Sequence, residues 1–128
     1  MEYCELNKDK EINIKILPRC TGKTIASINY IIEKGLKQDE VFFITPNKRY
    51  FQGFYKHVLN FKKINVISFE EFVQNILDTT FEMYLNVLKQ YKLIVFDDIP
   101  KEEALIYAIS CYLLMPGMKV IFIANKIE

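Results

Sequence analysis

The chain has 128 residues, of which 51% are hydrophobic and 26% charged. That is enough apolar material for one buried core, too little length for two domains, and too hydrophobic for a disordered chain. The 17 Lys and Arg nearly cancel the 16 Asp and Glu, and a net charge of +1 excludes a generically basic nucleic-acid coat. The longest apolar stretch, residues 104–115, contains Ser110 and falls well short of the about 20 residues a membrane helix needs. No leader with a cationic, apolar and small-residue layout is expected, so nothing marks secretion. Cys4, Cys20 and Cys111 are odd in number, widely spaced and without a CxxC pair. They read as free thiols of a reducing, cytoplasmic compartment rather than as disulfides or zinc ligands.

In chain order, short β-rich runs alternate with helical patterns. The first strand is expected at Ile12–Leu17, followed by a helix with Ile25, Ile28, Ile32 and Leu36 on its buried face and Gly35 closing it. A second strand, Val41–Thr45, precedes a helix carrying Phe51, Phe54, Val58 and then Leu59 or Phe61. A third strand is expected at 64–67. Ser68 with Glu71 and Thr79 with Glu82 each fit a capping box, so residues 69–91 divide into two helices at Asp78. A fourth strand spans 93–96, and Pro100 suits the first turn of a helix reaching Met115, which Pro116 and Gly117 end. The fifth strand spans 119–124. Most strands are apolar at successive rather than alternate positions, as in strands covered on both faces. Five strands separated by helices predict a parallel five-stranded sheet in a three-layer α/β domain with right-handed crossovers.

The residues that carry chemistry follow the first strand: Leu17, Pro18, Arg19, Cys20, Thr21, Gly22, Lys23 and Thr24. Gly22-Lys23-Thr24 matches the end of the phosphate loop GxxxxGK[ST], while Leu17 stands where that pattern has its first glycine. Gly22 would let backbone N–H groups turn around phosphate oxygens, favoured by the dipole of the helix that starts there. Lys23 would reach the β- and γ-phosphates, and the Thr24 hydroxyl would ligate Mg²⁺. Arg19, Cys20 and Thr21 complete the nucleotide loop. The bland alternative is a strand, a turn and an exposed lysine.

A second motif, Leu93-Ile94-Val95-Phe96-Asp97-Asp98, is an apolar strand ending in acid and looks like Walker B. Asp97 would hold Mg²⁺ through water beside Thr24, at the carboxyl end of the strand. Asp98 stands where many ATPases place the Glu that orients the attacking water. Asn125, at the tip of the last strand, fits either the polar sensor that contacts the γ-phosphate or an ordinary strand-ending turn residue.

Taken together these residues resemble the RecA-like phosphate-loop ATPases, over most of the chain. Arg19, four residues before Lys23, is similar to the Arg-x-x-Gly-Lys-Thr form found in phage terminase large subunits, the motors that package viral DNA. Thr45-Pro46-Asn47-Lys48 looks like motif Ia of superfamily 1 helicases, residues 66–69 like their following DNA-contacting motif, and Asp97-Asp98-Ile99 like Walker B of helicase loaders. The resemblance implies Mg-ATP binding, action on DNA or single-stranded nucleic acid, and a protein partner or second copy completing the ATP site. An isolated ATPase core is the expectation, without the nuclease domain of terminases or the second motor domain of helicases. Weak, partner-dependent hydrolysis is the expectation. The alternative is a non-catalytic adaptor of helicase-loader or decoy kind that binds nucleotide and acts through protein partners.

Charge is unevenly spread. Residues 41–69 contain no acid, while Lys48, Arg49, Lys56, Lys62 and Lys63 give +5. Tyr50, Phe51, Phe54, Tyr55 and Phe61 interleave with them. Cations among aromatics suit single-stranded nucleic acid, although this spacing favours the aromatics as core and leaves the cations as the contact candidates. His57 is assigned no role.

Overall fold

The computed structural model describes residues 4–7, 9–18, 21–46, 48–98 and 102–125, with the backbone alone at 48–51. The elements are β1 (Ile12–Leu17), α1 (Lys23–Glu33), a 3-10 turn (Gln38–Glu40), β2 (Val41–Thr45), α2 (Lys48–Leu59), β3 (Val66–Ser68), α3 (Phe69–Asp78), α4 (Phe81–Leu88), β4 (Leu93–Asp97), α5 (Glu102–Leu114) and β5 (Lys119–Asn125). The strands pair in the order β1-β5-β4-β2-β3, and every pairing is parallel.

The successive apolar residues of β2, β4 and β5 serve two cores. Phe42, Ile44, Ile94, Phe96, Val120 and Phe122 pack under α3, α4 and α5, against residues such as Phe72, Leu88 and Ala108. Their neighbours Val41, Phe43, Leu93, Val95, Ile121 and Ile123 pack under α1 and α2, against Ile28, Ile31 and Tyr55. Each such side chain contributes about 1.5–3 kcal/mol on leaving water. The chain is therefore α/β, with a five-stranded all-parallel sheet and helices on both faces. Edge strand β1 alternates instead: Asn13 is buried while Ile14 and Ile16 are exposed. The Asn13 side chain accepts from the backbone N–H of Asn7 (2.8 Å) and donates to its carbonyl (3.0 Å), anchoring the preceding segment.

Local signals explain most element ends. Gly35, at φ +64°, closes α1: its N–H donates to Ile32 O and that of Leu36 to Ile31 O, which satisfies carbonyls that the helix leaves open. Ser68 both ends β3 and caps α3 through the expected box with Glu71. The division at Asp78 is present, but the second cap differs from expectation. Thr80, extended, accepts from Met83 N–H, whereas the Thr79 hydroxyl donates back to Asn75 O at the end of α3. Thr80→Ala is accordingly expected to lower stability by ~1 kcal/mol, with Ser at that position restoring it, as thermal melting will report.

Helix faces and strand ends also differ from expectation. The buried side of α1 is Ser27, Ile28, Tyr30 and Ile31, while Ile25 and Ile32 are exposed; isoleucines cover so much of this helix that only the position of the sheet selects its inner face. In α2, Tyr55 is fully buried and Val58 is exposed. β3 begins at Val66 rather than 64; Asn65, just before it, accepts from Phe43 N–H of β2 (2.8 Å) and donates its side-chain amide to Gln38 O (2.9 Å). β4 and β5 each run one residue further than expected. Pro100 lies outside the described residues, and α5 is described from Glu102. Among the described residues no helix is long and apolar enough to cross a membrane.

Candidate functional site

Because all five strands run the same way, their C-terminal ends share one edge of the sheet. Leu17 pairs in register with Asn125 and Asp97 with Ile123, which brings the end of β1, the acid of β4 and the tip of β5 together. Such an edge is where ligands gather in open parallel sheets.

The loop after β1 is built around Gly22 and Lys23. Gly22 adopts φ +74°, in the left-handed region that glycine enters at no steric cost, and α1 begins directly after it. Lys23 is not an exposed lysine: it retains 9% exposure. Its ammonium donates to Pro18 O (2.7 Å), Leu17 O (3.2 Å) and Thr21 Oγ1 (3.2 Å). A buried ammonium needs such acceptors, and here each comes from the loop itself. Thr21 is buried too, its hydroxyl donating to Pro18 O and its carbonyl accepting from Cys4 N–H. Leu17 closes β1 without a positive φ, so its position does not require the conformational freedom of glycine. Arg19 and Cys20 lie outside the described residues. Cys4 and Cys111 are free and buried, and burial pushes the Cys111 thiol up to about 12.

Thr24 and Asp97, 73 residues apart, meet here: the Thr24 hydroxyl donates to Asp97 Oδ2 at 3.4 Å. Asp97 is buried to 4% exposure at the end of β4. The same Oδ2 accepts from the Tyr55 hydroxyl of α2 at 3.1 Å. Desolvation raises the Asp97 carboxyl to about 7, helped by the charge of Asp98 and opposed by the Tyr55 and Thr24 hydrogen bonds. Tyr55 stays a proton donor, since burial and then the Asp97 charge push its pKa well up. Sequence reasoning placed Tyr55 only among the aromatics of a basic segment. The available signal was a phenol within an apolar helix stripe, whose buried hydroxyl must find a partner.

Asp98 follows at φ +59°, a left-handed conformation that Asp tolerates better than most residues. Its N–H donates to Ile123 O (2.9 Å), and its exposed carboxylate accepts from the Asn125 amide (2.8 Å). The two candidate catalytic residues are thus a hydrogen-bonded pair. Among the described residues no group of three His, Cys, Asp or Glu is placed to hold a metal ion. The oxygen donors here are Thr24 and Asp97, a set suited to Mg²⁺, which keeps waters and phosphate oxygens as its other ligands.

Lys56, Lys62 and Lys63 are exposed. The backbone N–H groups of Lys62 and Lys63 donate to Gln38 Oε1, which fastens their loop to the 3-10 turn before β2. Lys48 and Arg49 open α2, their side chains outside the described set. Phe54 and Phe61 are partly buried against the core under α1 and α2, so neither is a free stacking platform. No model of a known protein family matches the chain, and no curated protein matches it.

Proposed function

We propose that the chain is a phosphate-loop, RecA-like domain that binds Mg-ATP and works with nucleic acid. One observation carries this reading: the hydroxyl of Thr24, directly after a buried loop lysine, lies at a buried strand-end carboxylate 73 residues away. A turn with an adventitious Gly-Lys-Thr has no reason to find an acid there. The strand order supports the same reading, since β5 stands between β1 and β4 and carries Asn125 at its tip. Mg²⁺ would be held by Thr24 and, through water, by Asp97, and would neutralise charge on the phosphate oxygens. The N-terminus of α1 and the Gly22 turn would face those phosphates. Lys23 would exchange its loop carbonyls for phosphate oxygens. Asp98, steadied by Asn125, would orient water. Its carboxylate is one methylene shorter than the usual Glu, and a misplacement of about 1 Å can cost ~100-fold in rate, so slow turnover without a partner subunit is expected.

Lys56, Lys62 and Lys63, with Lys48 and Arg49, are the proposed nucleic-acid contacts. Titration of a fluorescent ATP analogue in MgCl₂ and in EDTA tests the nucleotide site, and binding stronger in MgCl₂ is the expected result. Binding of a single-stranded oligonucleotide should weaken with salt at a slope of about −0.7 per phosphate neutralised, and charge reversal at Lys62 and Lys63 should flatten it. No nucleotide binding in either buffer overturns the reading. Nucleotide binding with no turnover, with or without DNA, assigns the chain instead to the adaptor class.

A further inference from the structure

We propose that Tyr55 is a positioning residue that holds the Asp97 carboxylate in place for the metal; this rests on the phosphate-loop reading above. Tyr55 is completely buried. Its ring is fixed by edge contacts with Phe43 (centroids 4.8 Å, 60°) and Phe54 (5.8 Å, 78°). Phe would serve that packing as well, and it would bring no polar atom into the core. The hydroxyl is therefore the part that calls for a role.

Its partner is the carboxylate at the centre of the candidate site. Asp97 Oδ2 accepts from Tyr55 at 3.1 Å and from Thr24 at 3.4 Å. Oδ2 is occupied by two hydroxyls, and Asp97 would hold Mg²⁺ through a water with its remaining capacity to accept. Thr24, donating its own proton to Asp97, would keep its lone pairs for the metal. A carboxylate serves a metal only when its orientation is fixed by a further hydrogen-bond partner, and Tyr55 is the donor delivered from outside both motifs. It comes from α2, so the acid of β4 is held by the helix that also carries Lys56.

The test is the gain in affinity for a fluorescent ATP analogue on going from EDTA to MgCl₂, compared in wild type, Tyr55→Phe, Asp97→Asn and the double variant. Partners that orient metal ligands are worth about 10- to 100-fold in metal affinity. Tyr55→Phe should therefore cut the Mg²⁺-dependent gain by at least about tenfold and leave affinity in EDTA unchanged. In the Asp97→Asn background it should do nothing further, because the hydroxyl acts through that carboxylate. Phe43→Leu, which loosens the same ring without touching the hydroxyl, should retain the gain. A full Mg²⁺ gain in Tyr55→Phe, or an equal loss in both buffers, overturns the positioning role while the phosphate-loop reading survives. Wild type that binds no ATP in either buffer overturns both.

Discussion

Lys23→Ala is expected to weaken ATP binding about 100-fold, or ~2.7 kcal/mol, the size of one lost charge-assisted phosphate contact. The ammonium is already desolvated and held by Pro18 O, Leu17 O and Thr21 Oγ1. It would therefore reach phosphate with little further dehydration, exchanging carbonyl acceptors for charged ones. The burial of Lys23 also means that its removal touches the loop: Leu17 and Pro18 carbonyls lose a donor, at a cost on the order of 1 kcal/mol. Lys23→Met, which keeps the stem and removes the charge, separates the two effects. Melting curves and ATP titration of both variants provide the measurement. A folded variant with unchanged affinity contradicts the phosphate-loop assignment.

Stability in Mg²⁺-free buffer should fall as pH rises from about 4 to about 7, and Asp97→Asn should abolish that fall. Asp97 gives up its proton near its ordinary 3.8 when unfolded but near about 7 when folded, chiefly because burial penalises the charge. Between those values the folded state binds more protons than the unfolded one, so each rise in pH favours unfolding. The difference between those two values corresponds to roughly 4 kcal/mol, or on the order of 10 °C in melting temperature for a domain of this size. Asp97→Asn should match wild type near pH 4 and exceed it by about that amount at pH 8. MgCl₂ with ATP should narrow the gap at pH 8, because a bound cation compensates the buried carboxylate. A difference between the two proteins that does not change with pH would show that Asp97 is not held neutral by its surroundings.

The fold class was legible because its signals are local and redundant. Successive apolar residues in Val41–Thr45 and Lys119–Asn125 mark strands buried on both faces, and Gly35 and Ser68 mark helix ends by conformational and hydrogen-bonding needs that neighbours satisfy. Gly22, Lys23 and Thr24 were legible as candidates because a phosphate loop needs those residue types at short fixed spacing, and Asp97 because an acid ends an apolar strand. Tertiary structure alone decided the rest. Whether Thr79 or Thr80 caps α4 turns on which of two adjacent hydroxyls the chain path leaves facing the first turn. The inner face of α1 is chosen by the sheet beneath it from among isoleucines that suit several faces. The meeting of Tyr55 with Asp97 joins residues 42 apart through the pairing of β2 with β4 and the packing of α2. Neither residue's neighbours in the chain encode that contact, because a buried hydroxyl's need for a partner specifies a chemistry and not an address.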